Sequence, residues 1–261
     1  MRKSVQLVIP AAGAGNRFRE VGISTPKPLI ELDGLPMLLW VLANFQLEEN
    51  DRVVIISQER DVLPEKLNTF LNKLNFDVDF VQIDGLTEGP AATVELAVKK
   101  LLPGIPIIVA NSDQYVSVDM TPFIEGIRQD FASGYILAME ARGSKWSFIG
   151  RDEDGFVNRV VEKEEISDEA TVGIYGWADL SVMKNAIKYL RDNEITVNNE
   201  YYVAPSYGYL IENNLNIDVF NIGAHGDSVH GLGTPKDLSE FLEHGDFIKF
   251  ANAVRSKFVD H

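Results

Sequence analysis

Short runs of β-branched and other apolar residues alternate along the chain with longer amphipathic stretches. The runs Val5–Ile9, Val53–Ser57, Val78–Gln82, Pro106–Ala110 and Tyr135–Met139 predict strands. Their near-continuous apolar content suits strands covered on both faces. Helices are expected between them. Pro36 sits where a first-turn proline belongs and opens Pro36–Leu47, with apolar residues on one face. Pro90 opens Pro90–Leu101, Thr121-Pro122 reads as an N-cap followed by the first helical residue, and Thr234-Pro235-Lys236-Asp237 starts a helix through Leu238–Leu242. The last stretch, Phe247–Phe258, carries Phe247, Ile248, Phe250, Ala251, Val254 and Phe258 for packing on the body or on a second chain. Such alternation predicts an α/β fold built of βαβ units.

The pattern changes between residues 144 and 177. There the turn Asp152-Glu153-Asp154-Gly155 separates short apolar segments and predicts hairpin strands added to the main sheet. This segment is expected as an insertion that supplies one wall of a pocket. No repeat, low-complexity tract or linker divides the chain, so residues 1–261 are expected to form one domain.

Composition narrows the function. The 261 residues hold 39 Asp+Glu against 24 Lys+Arg, a net charge of −15, which argues against sequence-independent binding to nucleic acid. The absence of cysteine excludes disulfides, thiolate metal sites and cysteine nucleophiles, and fits a reducing compartment. No apolar run reaches membrane-spanning length, and the start Met1-Arg2-Lys3-Ser4 does not lead into a signal peptide. A soluble, cytoplasmic protein is expected, with no membrane or nucleic-acid partner. The histidines His225, His230, His244 and His261 show no metal-binding spacing, and His230 reads as a loop histidine without a catalytic task.

The most informative segment is Val8-Ile9-Pro10-Ala11-Ala12-Gly13-Ala14-Gly15-Asn16-Arg17-Phe18, a buried strand running into tiny residues and then a fixed cation. Small residues let main-chain N–H groups approach a phosphate or a base closely. A tight strand-to-helix turn needing glycine for its backbone angles alone remains open. A dinucleotide fingerprint wants a third glycine where Phe18 stands, and a Walker loop wants Gly-Lys-Ser/Thr, which does not follow. Beyond Arg17 comes Pro26-Lys27-Pro28-Leu29, whose two prolines stiffen the chain around Lys27 in an extended segment. Two cations beside a glycine loop suit a triphosphate under attack.

These residues resemble the sugar-phosphate nucleotidyltransferases, or nucleotidyl-sugar pyrophosphorylases. The signature stands here as Ala11-Ala12-Gly13-Ala14-Gly15-Asn16-Arg17 and Pro26-Lys27-Pro28-Leu29, followed by Leu32-Asp33-Gly34-Leu35-Pro36-Met37. Further matches follow in order to about Leu238. Glu88-Gly89-Pro90-Ala91-Ala92 is similar to the family's base-reading loop, although a plain helix start explains it as well. Asn111-Ser112-Asp113-Gln114 resembles the strand-end motif whose aspartate binds Mg²⁺; an N-cap or Asx-turn aspartate is also common after strands, and its order in the series favours the metal. Val160-Val161-Glu162-Lys163 and Thr171-Val172-Gly173-Ile174-Tyr175 resemble the sugar-pocket strands, and Asn199-Glu200 resembles another sugar-contacting position. Two departures stand out. Gly231, before Leu232-Gly233-Thr234-Pro235, occupies a position where a second metal-binding aspartate is usual, with Asp227 upstream as a candidate substitute. Trp146-Ser147 replaces Tyr-Gly beside the sugar.

The resemblance implies a three-layer α/β/α fold with a mixed, mostly parallel central sheet, like the nucleotide-diphospho-sugar transferases. It implies Mg²⁺-dependent joining of an NTP and a sugar 1-phosphate, with release of pyrophosphate. It assigns Arg17 and Lys27 to the reacting phosphates and Asp113 to Mg²⁺. Ala11, Ala12, Gly13, Ala14, Gly15, Glu88 and Gly89 go to the nucleotide, and Asn111, Glu162, Lys163 and Gly173 to the acceptor. A cytidylyltransferase acting on a polyol or choline-type phosphate and a non-catalytic nucleotide-binding member of the fold stay open. So does self-association. A glycosyltransferase is disfavoured, because Asp113-Gln114-Tyr115 is not Asp-x-Asp.

Overall fold

The computed structural model describes residues 3–129 and 131–259; Met1, Arg2 and His261 lie outside them. Strands β1 (Gln6–Pro10), β2 (Glu31–Leu32), β3 (Leu35–Pro36), β4 (Arg52–Gln58), β5 (Asp77–Ile83) and β6 (Ile107–Ala110) come first. They are followed by β7 (Gln114–Val116), β8 (Gly134–Glu140), β9 (Ser147–Arg151), β10 (Val157–Glu162), β11 (Glu169–Trp177), β12 (Ile217–Ala224) and β13 (Val229–Gly231). The five strands predicted from apolar runs are β1, β4, β5, β6 and β8.

Nine strands form the main sheet. β5, β4, β1 and β6 run parallel side by side. β11 then joins β6 antiparallel, and the sheet forks from β11 into the pair β8–β12 and the hairpin β9–β10. β11 is thus a central strand, whereas β9–β10 is the added hairpin. Its turn is closed by Asp152 Oδ1, which accepts from the main-chain N–H of Asp154 at 3.1 Å and of Phe156 at 2.9 Å. β7 pairs with β13, and β2 with β3, in two small side sheets.

Helices α1 (Asn16–Arg19), α2 (Met37–Ala43), α3 (Leu63–Leu71), α4 (Pro90–Glu95), α5 (Thr121–Gln129), α6 (Leu180–Asp192), α7 (Gly208–Glu212), α8 (Pro235–Leu242) and α9 (Phe247–Phe258) complete the chain. Alternate residues of each central strand feed two cores. Leu7, Ile9, Val53, Ile55 and Ile108 pack with α2, α3, α5, α8 and α9, and Val8, Val54, Ile56, Ile107 and Val109 pack with α4, α6 and α7. A period of two with both faces filled accounts for the unbroken apolar runs. The result is the expected three-layer α/β/α architecture with a mixed sheet.

Several local expectations are corrected. The helix at Pro36 runs only over Met37–Ala43, and Pro36 ends β3 as the residue before it. All seven of its residues are buried, because α2 is enclosed by the sheet side, α8 and α9. Trp40 alone meets Tyr115, Phe241 and Phe247 at 5.3, 5.4 and 5.6 Å between rings. Thr121 is the first helical residue of α5, not its cap, and the carboxylate of Asp119 accepts its N–H at 2.9 Å. Pro90 does open α4, but after Glu95 the helix tightens into a 3-10 stretch, Leu96–Lys100. Thr234 caps α8 as expected, its hydroxyl accepting the N–H of Asp237 at 3.1 Å. Helix α9 packs at home through Phe247, Phe250, Ala251, Val254 and Phe258, leaving Ile248 exposed.

His230 is not a loop histidine. It lies on β13, 5% exposed, between Tyr115, Phe241, His244 and Phe250. Burial, with the nearby His244 and His225, pushes its pKa down to about 4.

Candidate active site

One cleft of about 620 Å³ opens at the carboxyl ends of β1 and β6. Its first wall is main chain. Ala11 extends the β1 ladder by donating to Ile56 O at 2.7 Å, and the chain then turns into the glycine loop. Gln58, at the end of β4, is buried and its amide donates to Ala12 O at 2.6 Å. The loop is therefore held from beneath. Gly15 precedes α1 in the left-handed region at φ 66°, where a side chain is strained. Phe18, 1% exposed, pins α1 to the core and leaves Arg17 on the solvent side.

Lys27 opens a single 3-10 turn, Lys27–Leu29, instead of the extended segment expected from its flanking prolines. Its carbonyl is taken by the N–H of Ile30 at 3.1 Å, which curls the chain in spite of Pro28. The ammonium reaches Asp113 Oδ2 at 2.7 Å. Asp113 follows β6, its carbonyl accepts from Leu232 N at 2.8 Å, and its carboxylate lies against Gly233, where a Cβ would stand only 2.6 Å from Oδ2. Gly233 is thus needed for Asp113 to face the cleft.

Gly89 caps α4 at φ 121° and meets the segment around Tyr201 so closely that a Cβ would lie 2.6 Å from Tyr201 N. The approach is sealed by Tyr201 N donating to Glu88 O at 2.7 Å and Ala91 N donating to Tyr201 O at 2.9 Å. Thr87 and Thr93 share a hydroxyl contact at 2.6 Å beside Gly89 O.

The opposite wall is made of side chains. β11 bulges between Thr171 and Tyr175, with Gly173 at φ 82°. A Cβ on Gly173 would sit 2.2 Å from Asn111 Nδ2, so the glycine makes room for that amide, while Gly173 O accepts Asn111 N at 3.0 Å. Glu162 ends β10 with its side chain 8% exposed and accepts from the Ser147 hydroxyl. Burial pushes its pKa upward, against the lowering pull of Ser147 and Lys163. Lys163 adopts φ 59°, an arrangement costing about 1–3 kcal/mol for a side chain of this kind. Its ammonium donates to the Tyr202 hydroxyl, lies 4.1 Å from the centre of the Tyr202 ring and is 4.0 Å from Glu162 Oε1. Tyr202 in turn donates to Glu200 at 2.7 Å. Burial and Glu200 hold the Tyr202 pKa well above the usual phenol range, and Arg17 is near enough to draw it slightly back.

Of the residues singled out in the sequence, Ala12, Gly13, Ala14, Arg17, Lys27, Gly89, Asn111, Asp113, Glu162, Lys163 and Gly173 line this cleft together. Ala11, Gly15 and Glu88 do not. Ala11 is 2% exposed, Gly15 sits behind the loop against Lys27, and the Glu88 carboxylate pairs with Arg191 at 3.0 Å outside the lining. Asp227 does not take the place left by Gly231, because it lies in the turn between β12 and β13, away from the lining. Gly231 and Gly233 line the cleft, as do Trp146 and Ser147.

Gln114, part of the strand-end motif, lines it too, as do Thr87, Thr93, Lys145, Tyr202 and Asp237, which were given no role from the sequence. Asp237 was visible only as part of the helix start after Thr234. Nothing in local spacing marks Tyr202. Among the described residues there is no cluster of three His, Asp or Glu side chains able to hold a metal. No helix there is long and apolar enough to cross a membrane.

The chain matches the nucleotidyl transferase family over residues 6–216. It is 29% identical over 175 residues to the mannose-1-phosphate guanylyltransferase catalytic subunit beta of Drosophila pseudoobscura pseudoobscura, covering 64% of this chain and 46% of that protein. It is 28% identical over 178 residues to mannose-1-phosphate guanylyltransferase 1 of Arabidopsis thaliana, covering 66% and 49%. The chain therefore spans about half the length of these curated relatives. Among solved structures, a nucleoside-diphosphate-sugar pyrophosphorylase from Vibrio cholerae RC9 superposes with a TM-score of 0.72 at 26% identity, over 91% of this chain and 100% of that one. The inositol-1-phosphate CTP transferase from T. maritima gives 0.76 at 14% identity over 99% and 100%, a likeness of fold alone.

Proposed function

The chain belongs to the nucleotidyl transferase family, and we propose that it joins a nucleoside triphosphate to a sugar 1-phosphate, giving a nucleotide-sugar and pyrophosphate. The observation that carries this reading is the meeting of Lys27 and Asp113 at 2.7 Å inside a cleft with Arg17 and a glycine loop in one wall and Lys163 in the other. In the proposed reaction an oxygen of the acceptor phosphate attacks the α-phosphorus in line. The new P–O bond forms as the bond to the β-phosphate breaks, and pyrophosphate leaves with that electron pair. The protein's task is alignment and charge neutralisation. Main-chain N–H groups from Ala12 to Ala14, with Gly89, seat the base and ribose. Arg17 and Lys27 balance the triphosphate, and Lys163 holds the acceptor phosphate.

Asp113 fits a hard cation in its donor chemistry, as an oxygen ligand at the end of a strand facing the cleft. With Gly231 offering no side chain, phosphate oxygens and water complete such a site. Asp113 would hold Mg²⁺, which when bound supplies charge neutralisation at the phosphates. The net charge of −15 is compatible with anionic substrates because Arg17, Lys27, Lys145 and Lys163 gather in the cleft. The phosphorylated substrates and the cysteine-free chain support a cytoplasmic setting.

A thermal-shift panel of ATP, GTP, CTP, UTP and dTTP, each with and without Mg²⁺, tests this first. A nucleotide at 100 times its Kd stabilises the fold by ~2.7 kcal/mol. One stabilising nucleotide, followed by pyrophosphate release with a sugar 1-phosphate, is the expected result. No shift with any nucleotide, and no pyrophosphate release, overturns the proposal.

A further inference from the structure

We propose that Tyr202, backed by Glu200, is the positioning residue that fixes the Lys163 ammonium as anchor for the acceptor phosphate. The inference rests on the function proposed above and deepens it. The direction of the hydrogen bonds carries it. Tyr202 spends its only proton on Glu200, at 2.7 Å, so toward Lys163 its oxygen acts as an acceptor. One of the three ammonium protons goes to that oxygen, and Glu162 Oε1 stands 4.0 Å away. The centre of the Tyr202 ring lies 4.1 Å from the same ammonium, on the hydroxyl side. The Lys163 side chain is 29% exposed, so it still reaches the cleft for an anion. The raised pKa of Tyr202 keeps its hydroxyl protonated through the neutral range.

Both partners are placed by the fold and not by chance rotamers. Lys163 is delivered by its left-handed backbone and by its N–H, which donates to Trp146 O at 2.9 Å. Tyr202 is delivered by left-handed Asn198 and Asn199 and by the Tyr201 clamp across Glu88 and Ala91. That clamp exists because Gly89 has no Cβ to obstruct it. The acceptor anchor is therefore set against the same loop that borders the nucleotide, which gives the two substrates a fixed relative position.

The test is steady-state kinetics of Tyr202→Phe and Glu200→Gln with the nucleotide and acceptor established for the wild type. Tyr202→Phe keeps the ring and removes only the hydroxyl. The acceptor KM is expected to rise about tenfold in Tyr202→Phe, as befits a lost hydrogen bond to a charged group. It rises less in Glu200→Gln, while the nucleotide KM stays within about twofold in both. Tyr202→Phe is expected to add nothing in a Lys163→Met background. A parallel measurement needs no turnover. In ¹⁵N-lysine spectra the wild type is expected to show a slowly exchanging ammonium signal that is lost in Lys163→Met and in Tyr202→Phe, and a wild type without it counts against the proposal. An unchanged ammonium signal, equal effects in both backgrounds, or acceptor and nucleotide KM rising together with a lowered melting temperature overturns the proposal. Absence of turnover in the wild type with every nucleotide and phosphorylated acceptor instead overturns the underlying function, and the acceptor role with it.

Discussion

On the side of the cleft proposed for the nucleotide the lining is largely main chain beside Arg17, supplied by two loops, each continuous in sequence, the first held from beneath by buried side chains such as Gln58 and Phe18. On the side proposed for the acceptor the lining is side chains from separate segments, Asn111, Glu162, Lys163, Glu200 and Tyr202, brought together by a bulge, a hairpin and left-handed residues. The first wall depends on a backbone path left open by Gly13, Gly15 and Gly89 more than on any one side chain's chemistry. The second wall depends on the identity of each side chain and on the neighbours that aim it. Under the proposed function, the choice of acceptor falls to the second wall.

The largest expected effect belongs to the cations between the two walls. Lys27→Ala should lower kcat about 100- to 1000-fold, the range for removing one preorganised group from developing charge. Its stability should change little, because the Lys27–Asp113 pair is partly solvated and such pairs contribute about 0–1 kcal/mol. Single-turnover pyrophosphate release and thermal melting measure the two separately. A variant that turns over at the wild-type rate would remove Lys27 from the reaction and leave the first wall as shape alone.

The same asymmetry governed what could be read from the chain. The apolar runs marked β1, β4, β6 and β8 because a strand covered on both faces must be apolar throughout, whereas β5, an edge strand expected to be covered as well, is half-exposed and was legible from Val78, Phe80 and Val81 alone. The loop from Ala11 to Arg17 and the Pro26-Lys27 pair were legible because their spacing is local. Pro36 misled, since a two-residue strand, β3, ends on it and α2 is enclosed on every side. Tyr202 and Ser147 were not assigned roles because each acts through a partner remote in sequence, Lys163 or Glu162. Glu88 was assigned to the nucleotide by its place next to Gly89, but its side chain leaves the cleft for Arg191. Order along the chain locates a loop; it does not say which way a side chain on it turns.

A pair of glycine substitutions sharpens the comparison at the next level of effect. Gly13→Ala adds a methyl group where no atom lies within 4 Å, so the fold should be kept and only nucleotide KM should rise. Gly173→Ala forces a Cβ to within 2.2 Å of Asn111 Nδ2 at φ 82°. It should cost about 1–3 kcal/mol of stability and raise acceptor KM, with nucleotide KM little changed. Melting curves and the two KM values distinguish the outcomes. If Gly13→Ala harmed acceptor binding as much as Gly173→Ala does, the division into two walls would fail.

The smallest expected effect is a pH dependence confined to the acceptor wall. Burial raises the pKa of Glu162, so this carboxyl takes up a proton at a higher pH than an ordinary glutamate as the solution is acidified. A protonated Glu162 has lost its charge and turned one oxygen into a donor, so it accepts more weakly from Ser147 and from a hydroxyl of the proposed acceptor. Acceptor KM should therefore rise on mild acidification, above the pH at which exposed carboxylates titrate, while nucleotide KM stays flat. Stability runs the other way. The raised folded-state pKa means that folding favours the protonated form. The group's contribution is fully present below the unfolded value, declines as pH rises through the folded one, and is level at its lowest beyond. Glu162→Gln mimics the neutral form, so its melting temperature relative to wild type should increase from acidic to neutral pH, and its acceptor KM should lose the pH dependence. A melting difference that shrinks over the same range would mean that the hydrogen bond from Ser147 outweighs burial. Glu162 would then be held as a carboxylate, and the acceptor wall would be indifferent to mild acid.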